Sequence, residues 1–356
     1  MKKKRPTSSG ISPHVVRPAL VLSVIALMCL AAACNDKSPT KSEPPPEQVV
    51  YMWDAGDSEK YFAFQPDSDK FDSFSVDFNP YYGLTASPEG GRLYGAGDEG
   101  IAVIDLATRA LVQVLPYIAY DGILASPDGR VLAVGCDSLL VLSTADYSVL
   151  YHQSHYLGAA AFSRDSKRLY SITYDTITVI DLSRDTTIKS QPNNLGDIVK
   201  LRLSPDESRW YLYRYHGMYT FSFAVYDVAL DSMVFVLGLT PGVGDLEVTP
   251  DDSYVFFTSP GGLAFGPPPQ YSFGSYNVKT GQVTLFKFNS ECTAAKDFYP
   301  MGELAVTPDG RWLTAVSGPC GGHVISFDIP NMAMSSFTCT GNNKCLVYLS
   351  SGKITE

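Results

Sequence analysis

The chain has 356 residues, 45% hydrophobic, 18% charged and 12% aromatic, which excludes a disordered acidic tail or a low-complexity polymer. Its 22 Tyr and 18 Phe, with 29 Gly and 24 Pro spread along the length, point to many short strands and turns and away from a helical bundle. Thirty-seven acidic against 27 basic residues give a net charge of −10, with no basic tract in the part expected to fold, so nucleic acid is not an expected partner.

Lys2, Lys3, Lys4, Arg5 and Arg17 precede an apolar run from Ala19 to Ala33 broken only by Ser23. A charged start and an apolar run too short to span a bilayer comfortably predict a signal peptide over residues 1–33. The run ends in Leu30-Ala31-Ala32-Ala33-Cys34, which resembles the lipobox of bacterial lipoproteins. That resemblance implies cleavage before Cys34 and lipidation of its thiol. Removing residues 1–33 takes away five basic and no acidic residues, which moves the net charge to −15. An acidic domain is repelled by anionic head groups, so attachment to the membrane would rest on the acyl chains. Residues 34–47 include Ser38-Pro39 and Pro44-Pro45-Pro46 and read as a Pro-rich tether.

From residue 84 a pattern recurs, in which an apolar segment leads to Ser or Thr, usually Pro, an acidic residue, often Gly, and a second apolar segment. The copies are TASPEGGRLYGAG from Thr85, LASPDGRVLAVG from Leu124, AFSRDSKRLYSI from Ala161, RLSPDESRWYLY from Arg202, EVTPDDSYVFFT from Glu247 and AVTPDGRWLTAV from Ala305. Pro presets φ and Gly accepts a positive φ, so each copy predicts strand, tight turn, strand. A third strand follows each hairpin and ends in a polar residue. Gln65, Asp105, Ser143, Asp181, Asp227, Asn277 and Asp328 form this column, at intervals of 40, 38, 38, 46, 50 and 51 residues. Such spacing fits four-stranded propeller blades. A polar side chain at the same point of each repeat is expected to hydrogen-bond the turn into the outermost strand.

Seven third strands against six hairpins leave one blade incomplete. LVYLSSGKITE from Leu346 reads as the first strand of that blade, with Ser350 to Lys353 in place of its turn, and QVVYMWDAG from Gln48 as the second. Residues 48–356 are therefore expected to form an all-β, seven-bladed β-propeller of four-stranded antiparallel blades, closed by the N- and C-terminal strands.

The SPDG-R-x-L and V-I-D-L segments resemble the YVTN repeats of bacterial β-propellers. These fall within the wider WD-repeat-like superfamily, which also includes quinohaemoprotein amine dehydrogenase β-chain-like and lactonase-type propellers. The resemblance implies the fold and says little of the activity, because the matching residues are turn and packing positions.

If the strands of a blade run a to d from the axis outward, the d-to-a and b-to-c loops share one face. The longest departures from the repeat, 259–270 and 289–302, both fall on that face. Phe265, Pro268, Tyr271, Phe298 and Tyr299 in or beside them are candidates for a binding surface. In an exported chain, Cys292 with Cys320 and Cys339 with Cys345 are candidate disulfides, and Cys136 is expected to pack as a small apolar residue.

Catalytic motifs are absent: there is no P-loop, no Gly-x-Ser-x-Gly elbow, no His-Glu-x-x-His and no haem-attachment Cys-x-x-Cys-His. His152 and His155 are read in an outer strand, where residues three apart point to opposite sides, and Asp67, Asp69 and Asp72 as a solvated turn. No catalytic residue, metal site or cofactor is assigned. The expected role is a membrane-tethered binding or scaffold module of the bacterial cell envelope, monomeric, engaging an envelope protein or small ligand. The alternative is a lactonase-like hydrolase, or an accessory subunit of a periplasmic redox enzyme, with its site at the central channel.

Overall fold

The computed structural model describes residues 48–54, 59–120, 122–218, 220–239, 244–258, 273–286, 303–317, 323–339 and 346–353, with backbone alone for 317, 323, 334, 336–339 and 346–353. The segment expected to be a signal peptide over 1–33, Cys34 and the expected tether over 34–47 lie outside these residues, as do Phe265, Pro268, Tyr271, Phe298, Tyr299, Cys292, Cys320 and Cys345. For Cys339 the side chain lies outside them.

The chain begins with β1 (Gln48–Asp54), β2 (Lys60–Gln65) and β3 (Lys70–Ser75). Blade 1 follows as β4 (Gly83–Ala86), β5 (Arg92–Gly97), β6 (Gly100–Asp105) and β7 (Ala110–Leu115), and blade 2 as β8 (Gly122–Ala125), β9 (Val131–Gly135), β10 (Leu139–Ser143) and β11 (Val149–Gln153). Blade 3 is β12 (Ala159–Phe162), β13 (Arg168–Ile172), β14 (Thr176–Asp181) and β15 (Thr186–Pro192), and blade 4 is β16 (Asp197–Leu203), β17 (Arg209–Tyr215), β18 (Phe221–Asp227) and β19 (Ser232–Leu239). Blade 5 is β20 (Leu246–Val248), β21 (Tyr254–Thr258), β22 (Phe273–Asn277) and β23 (Val283–Phe286), and blade 6 is β24 (Leu304–Val306), β25 (Trp312–Ser317), β26 (His323–Asp328) and β27 (Ala333–Cys339). The last strand, β28 (Leu346–Lys353), returns to pair with β1, giving the order β28-β1-β2-β3 and a seventh antiparallel sheet. The protein is a seven-bladed β-propeller, as its repeat spacing implies.

One expectation at the closure needs correction. Ser350 to Lys353 do not form a turn: they continue β28, with Lys353 opposite Gln48 and Ser350 opposite Tyr51. Ser and Gly favour turns locally, but here the backbone finds ladder partners at the other end of the chain.

The middle strands read as nearly unbroken apolar runs because both of their faces are covered. Along β17, Trp210 and Leu212 pack toward Tyr170 and Ile172 of blade 3. Tyr211 and Tyr213 point the other way, toward Leu246, Val255 and Phe257 of blade 5. Phe223 stacks on Phe257 at 4.8 Å between ring centres, and Tyr170 meets Trp210 edge-on at 5.7 Å. Outer strands differ: five of the six residues of β7, for instance, are exposed.

Within each of the six hairpins, the Ser or Thr hydroxyl is buried and accepts the N–H of the residue five positions on, as in Ser126 with Val131 at 3.1 Å and Ser204 with Arg209 at 3.0 Å. In four of them the same hydroxyl donates to the Asp two residues later: Asp128, Asp165, Asp206 and Asp309. The third-strand column behaves as expected. Its side chains accept from the following turn, from Ser68 for Gln65, Thr108 for Asp105, Ala145 for Ser143, Ser183 for Asp181, Ala229 for Asp227, Thr280 for Asn277 and Asn331 for Asp328.

Candidate functional site

Antiparallel pairing places the d-to-a and b-to-c loops on one face and the a-to-b and c-to-d turns on the other. Between them the innermost strands surround an axial cavity of about 290 Å³. Its wall is set by two positions of the repeat. Four residues before the hairpin Ser or Thr stand Gly83, Gly122, Ala159, Lys200, Asp245 and Glu303; two residues before it stand Thr85, Leu124, Arg202, Glu247 and Ala305, with Ala160 lining the cavity in blade 3 instead. Blades 1 to 3 therefore contribute small or apolar residues, while blades 4 to 6 contribute five charges. Toward the turn face a second cavity of about 390 Å³ shares Leu124, Ala160, Arg202 and Glu247 with the first.

The charges join successive blades. Arg202 pairs with Glu247, and Lys200 Nζ lies 3.4 Å from Asp245 and 3.6 Å from Glu303. Asp245, only 4% exposed at its side chain, accepts its neighbour's N–H (Leu246, 2.9 Å) through Oδ1 and that of Leu304 in the next blade (3.0 Å) through Oδ2. Burial alone would lower the Lys200 ammonium, but the carboxylates of Asp245 and Glu303 more than offset this and hold it above its usual range. Arg202 is held up in the same way, its burial outweighed first by Glu247. For Glu303 burial prevails and pushes the carboxyl above its usual range, against the pull of Lys200. Two cations thus serve three carboxylates on the wall of a channel that still admits solvent, and the arrangement joins blades 4, 5 and 6 around the axis.

The loop face of blades 1 to 3 carries a second feature. Tyr81, Tyr120, Tyr156 and Tyr174 are 58%, 48%, 45% and 74% exposed, with Ile118 beside them at 43%. Tyr82 meets Tyr81 and Tyr120 edge-on at 5.3 and 5.4 Å and also lines the axial cavity, so the ring cluster reaches the mouth of the channel. In the next loops the Tyr156 hydroxyl accepts the N–H of Tyr174 at 3.4 Å. Asp77, Asp98, Glu99, Asp137, Asp175 and Asp197 lie in or at the ends of loops on the same face, Asp98 against the Tyr82 hydroxyl, and none of the six forms an ion pair with a described residue. The turn face differs in carrying cations, since there Arg92, Arg109, Arg130, Lys167, Arg168 and Arg184 each pair with a carboxylate, although Asp67, Glu89 and Asp185 on that face are in no ion pair with a described residue.

Among residues singled out in the sequence, His152 lies in β11 but His155 falls beyond it, in the d-to-a loop, which corrects the reading of both within one strand. Asp67 and Asp69 lie in the turn after β2, whereas Asp72 lies in β3 and pairs with Arg109. His216 Nε2 lies 2.7 Å from the Ser222 hydroxyl, in the b-to-c connection of blade 4. Cys136 is half-buried against the apolar cluster between blades 1 and 2, as expected of a small apolar residue. The repeat alignment names Arg202 and Glu247 as strand residues without marking them as channel residues. Reading the same columns for charge instead of turn chemistry would have found them together with Lys200, Asp245 and Glu303. The Tyr residues of the d-to-a loops recur in the same way and were equally readable.

No family model matches the chain, and no curated protein matches it. Among 1460 solved chains that do match is Kuenenia stuttgartiensis hydrazine synthase, 18% identical, with a TM-score of 0.59, covering 74% of this chain and 87% of that one. At that identity the likeness shows the propeller fold and nothing of the chemistry.

Proposed function

We propose that this chain is a lipid-anchored, extracytoplasmic β-propeller that serves as a binding or scaffold module in the cell envelope and engages its partner through the loop face. The observation that carries the reading is the exposed tyrosine cluster on that face, which runs to the mouth of the axial cavity. Large apolar rings held in solvent on short loops of a rigid sheet ring are recognition surface more readily than packing. The lipobox-like segment ending in Cys34 supports the anchor. A photo-crosslinker at Tyr120, with a control at Asp185 on the turn face, tests the reading in the native envelope. Capture from Tyr120 alone is the expected result, and equal capture or none from both overturns it. For the anchor, Cys34→Ser is expected to abolish incorporation of labelled palmitate and to release the protein from membranes; retention of the label overturns it.

A second reading, hydrolysis at the channel, draws on the convergence of Asp245, Glu247 and Glu303. It expects the purified protein to open a simple lactone and Glu303→Gln to abolish that activity while the variant still unfolds in a single cooperative urea transition.

A further inference from the structure

The loop face of blades 1 to 3 pairs exposed rings with unanswered negative charge. Its described loops, 76–82, 98–99, 116–120, 136–138, 154–158, 173–175 and 193–196, contain no Lys or Arg. On the opposite face Asp72, Asp105, Asp128, Asp165, Asp181 and Glu207 each face an Arg or Lys, while Asp67, Glu89 and Asp185 there form no ion pair with a described residue; what sets the loop face of blades 1 to 3 apart is that its carboxylates share their loops with exposed rings and with no Lys or Arg. Asp98 accepts the Tyr82 hydroxyl at 2.8 Å, and Asp175 accepts that of Thr173 at 2.8 Å, which fixes both carboxylates beside the rings without neutralising them.

We infer that this face docks a Lys- and Arg-rich polypeptide segment of a partner protein; the inference rests on the binding-module reading and names the chemistry of its partner. Three considerations select that occupant. Ring faces attract ammonium and guanidinium groups, and the flanking carboxylates add charge complementarity that steers encounter. Carboxylates spread over several loops do not converge on one ion, and no group of three or more potential metal-binding side chains occurs among the described residues. Nucleic acid would be repelled by the same charges.

The test uses the full chain in detergent micelles and fluorescence anisotropy with a labelled peptide of three Lys-Arg-Gly-Ser repeats. Peptides of three Glu-Asp-Gly-Ser or six Gly-Ser repeats serve as comparisons. The basic peptide alone is expected to bind, with affinity falling roughly tenfold between about 50 and 300 mM salt as the Debye length contracts. Combining Asp98→Asn, Glu99→Gln and Asp175→Asn is expected to weaken binding about tenfold, and Asp67→Asn, Glu89→Gln and Asp185→Asn on the turn face, equal in charge removed, less than about twofold. Tyr120→Ser with Tyr174→Ser keeps the charge and both side chains are exposed, so the fold should persist while affinity falls about tenfold. Equal loss from both charge sets, wild-type affinity in the tyrosine variant, or equal binding of the neutral peptide each overturns the inference. Its failure is separable from that of the parent reading: specific capture at Tyr120 of a partner whose contact peptide lacks Lys and Arg overturns the inference alone, and no specific capture overturns both.

Discussion

Ser204 shows how a single hydroxyl organises a blade. It is 2% exposed, accepts the Arg209 N–H at 3.0 Å and donates to Asp206 at 2.7 Å, while Asp206 also accepts from the Ser208 N–H and hydroxyl. Removing the hydroxyl leaves a buried N–H without its acceptor, which costs about 1–3 kcal/mol. Ser204→Ala is therefore expected to lower the urea midpoint by a corresponding amount, and Ser208→Ala, at an exposed position, by much less. These bonds also set a pH dependence. Hydrogen bonds from Ser204 and Ser208 lower the Asp206 carboxyl to about 2, and those from Thr108, then Arg92, lower Asp105 to about 2, both below the ordinary aspartate value of 3.8. A depressed folded pKa contributes stability that is fully present above the unfolded value and is lost as pH falls through the folded one. Stability measured in urea should therefore decline as pH falls from about 4 to about 2, with a shallower slope in Asp105→Asn and Asp206→Asn. A slope unchanged in both variants would assign the acid sensitivity to other groups.

Between elements, the informative contact is Asp245, whose carboxylate joins Leu246 of its own blade to the Leu304 N–H of the next while facing Lys200 of the one before. Asp245→Ala takes from Lys200 the nearer of its two carboxylates and leaves the N–H groups of Leu246 and Leu304 without that acceptor, so we expect a loss of roughly 3 kcal/mol. Lys200→Met in the same background should recover part of it, because the less compensated charge is then gone; no recovery would show that the loss comes from the backbone contacts alone. This contact also marks where sequence reading stops. Asp105, Asp181 and Asp227 were legible because each bonds within three residues of itself and the bond repeats with the blade. Asp245 bonds a residue 59 positions away, and no local pattern encodes that distance. The strands were legible for a related reason: a middle strand covered on both faces must be apolar at every position, whichever neighbours cover it. Ser350 and Gly352 misled because their local preference for a turn is real, and only a ladder formed with Gln48 to Tyr51, nearly the whole chain away, overrides it.

At the scale of the whole molecule, stability depends on how the ring closes. All seven residues of β1 are buried, although the strand opens the described domain. Val49, Tyr51 and Trp53 pack toward blade 1, and Val50 and Met52 toward Ala305, Val316 and Val324 of blade 6. Along the sheet, β1 has β2 on one side and β28 on the other. Without β28 the inner edge of β1 would present unpaired N–H and C=O groups beside the channel, next to an apolar surface that cannot be exposed cheaply. Each ladder hydrogen bond contributes a net 0.5–1.5 kcal/mol or so, and the strand forms several, so the closing ladder is of the same order as the roughly 5–15 kcal/mol that holds a domain folded. Deleting residues 346–356 should therefore abolish the single cooperative urea transition and drive the protein into aggregates through the exposed β1 edge. Deleting only 354–356, which leaves the register from Leu346 to Lys353 intact, should not. A synthetic peptide of residues 346–353 added in trans should restore solubility and raise the urea midpoint with peptide concentration, because it binds the folded ring and not the unfolded chain. If the shortened chain instead unfolds cooperatively at the wild-type midpoint, closure by β28 contributes little, and the apolar contacts of β1 and β2 with blades 1 and 6 hold the ring by themselves.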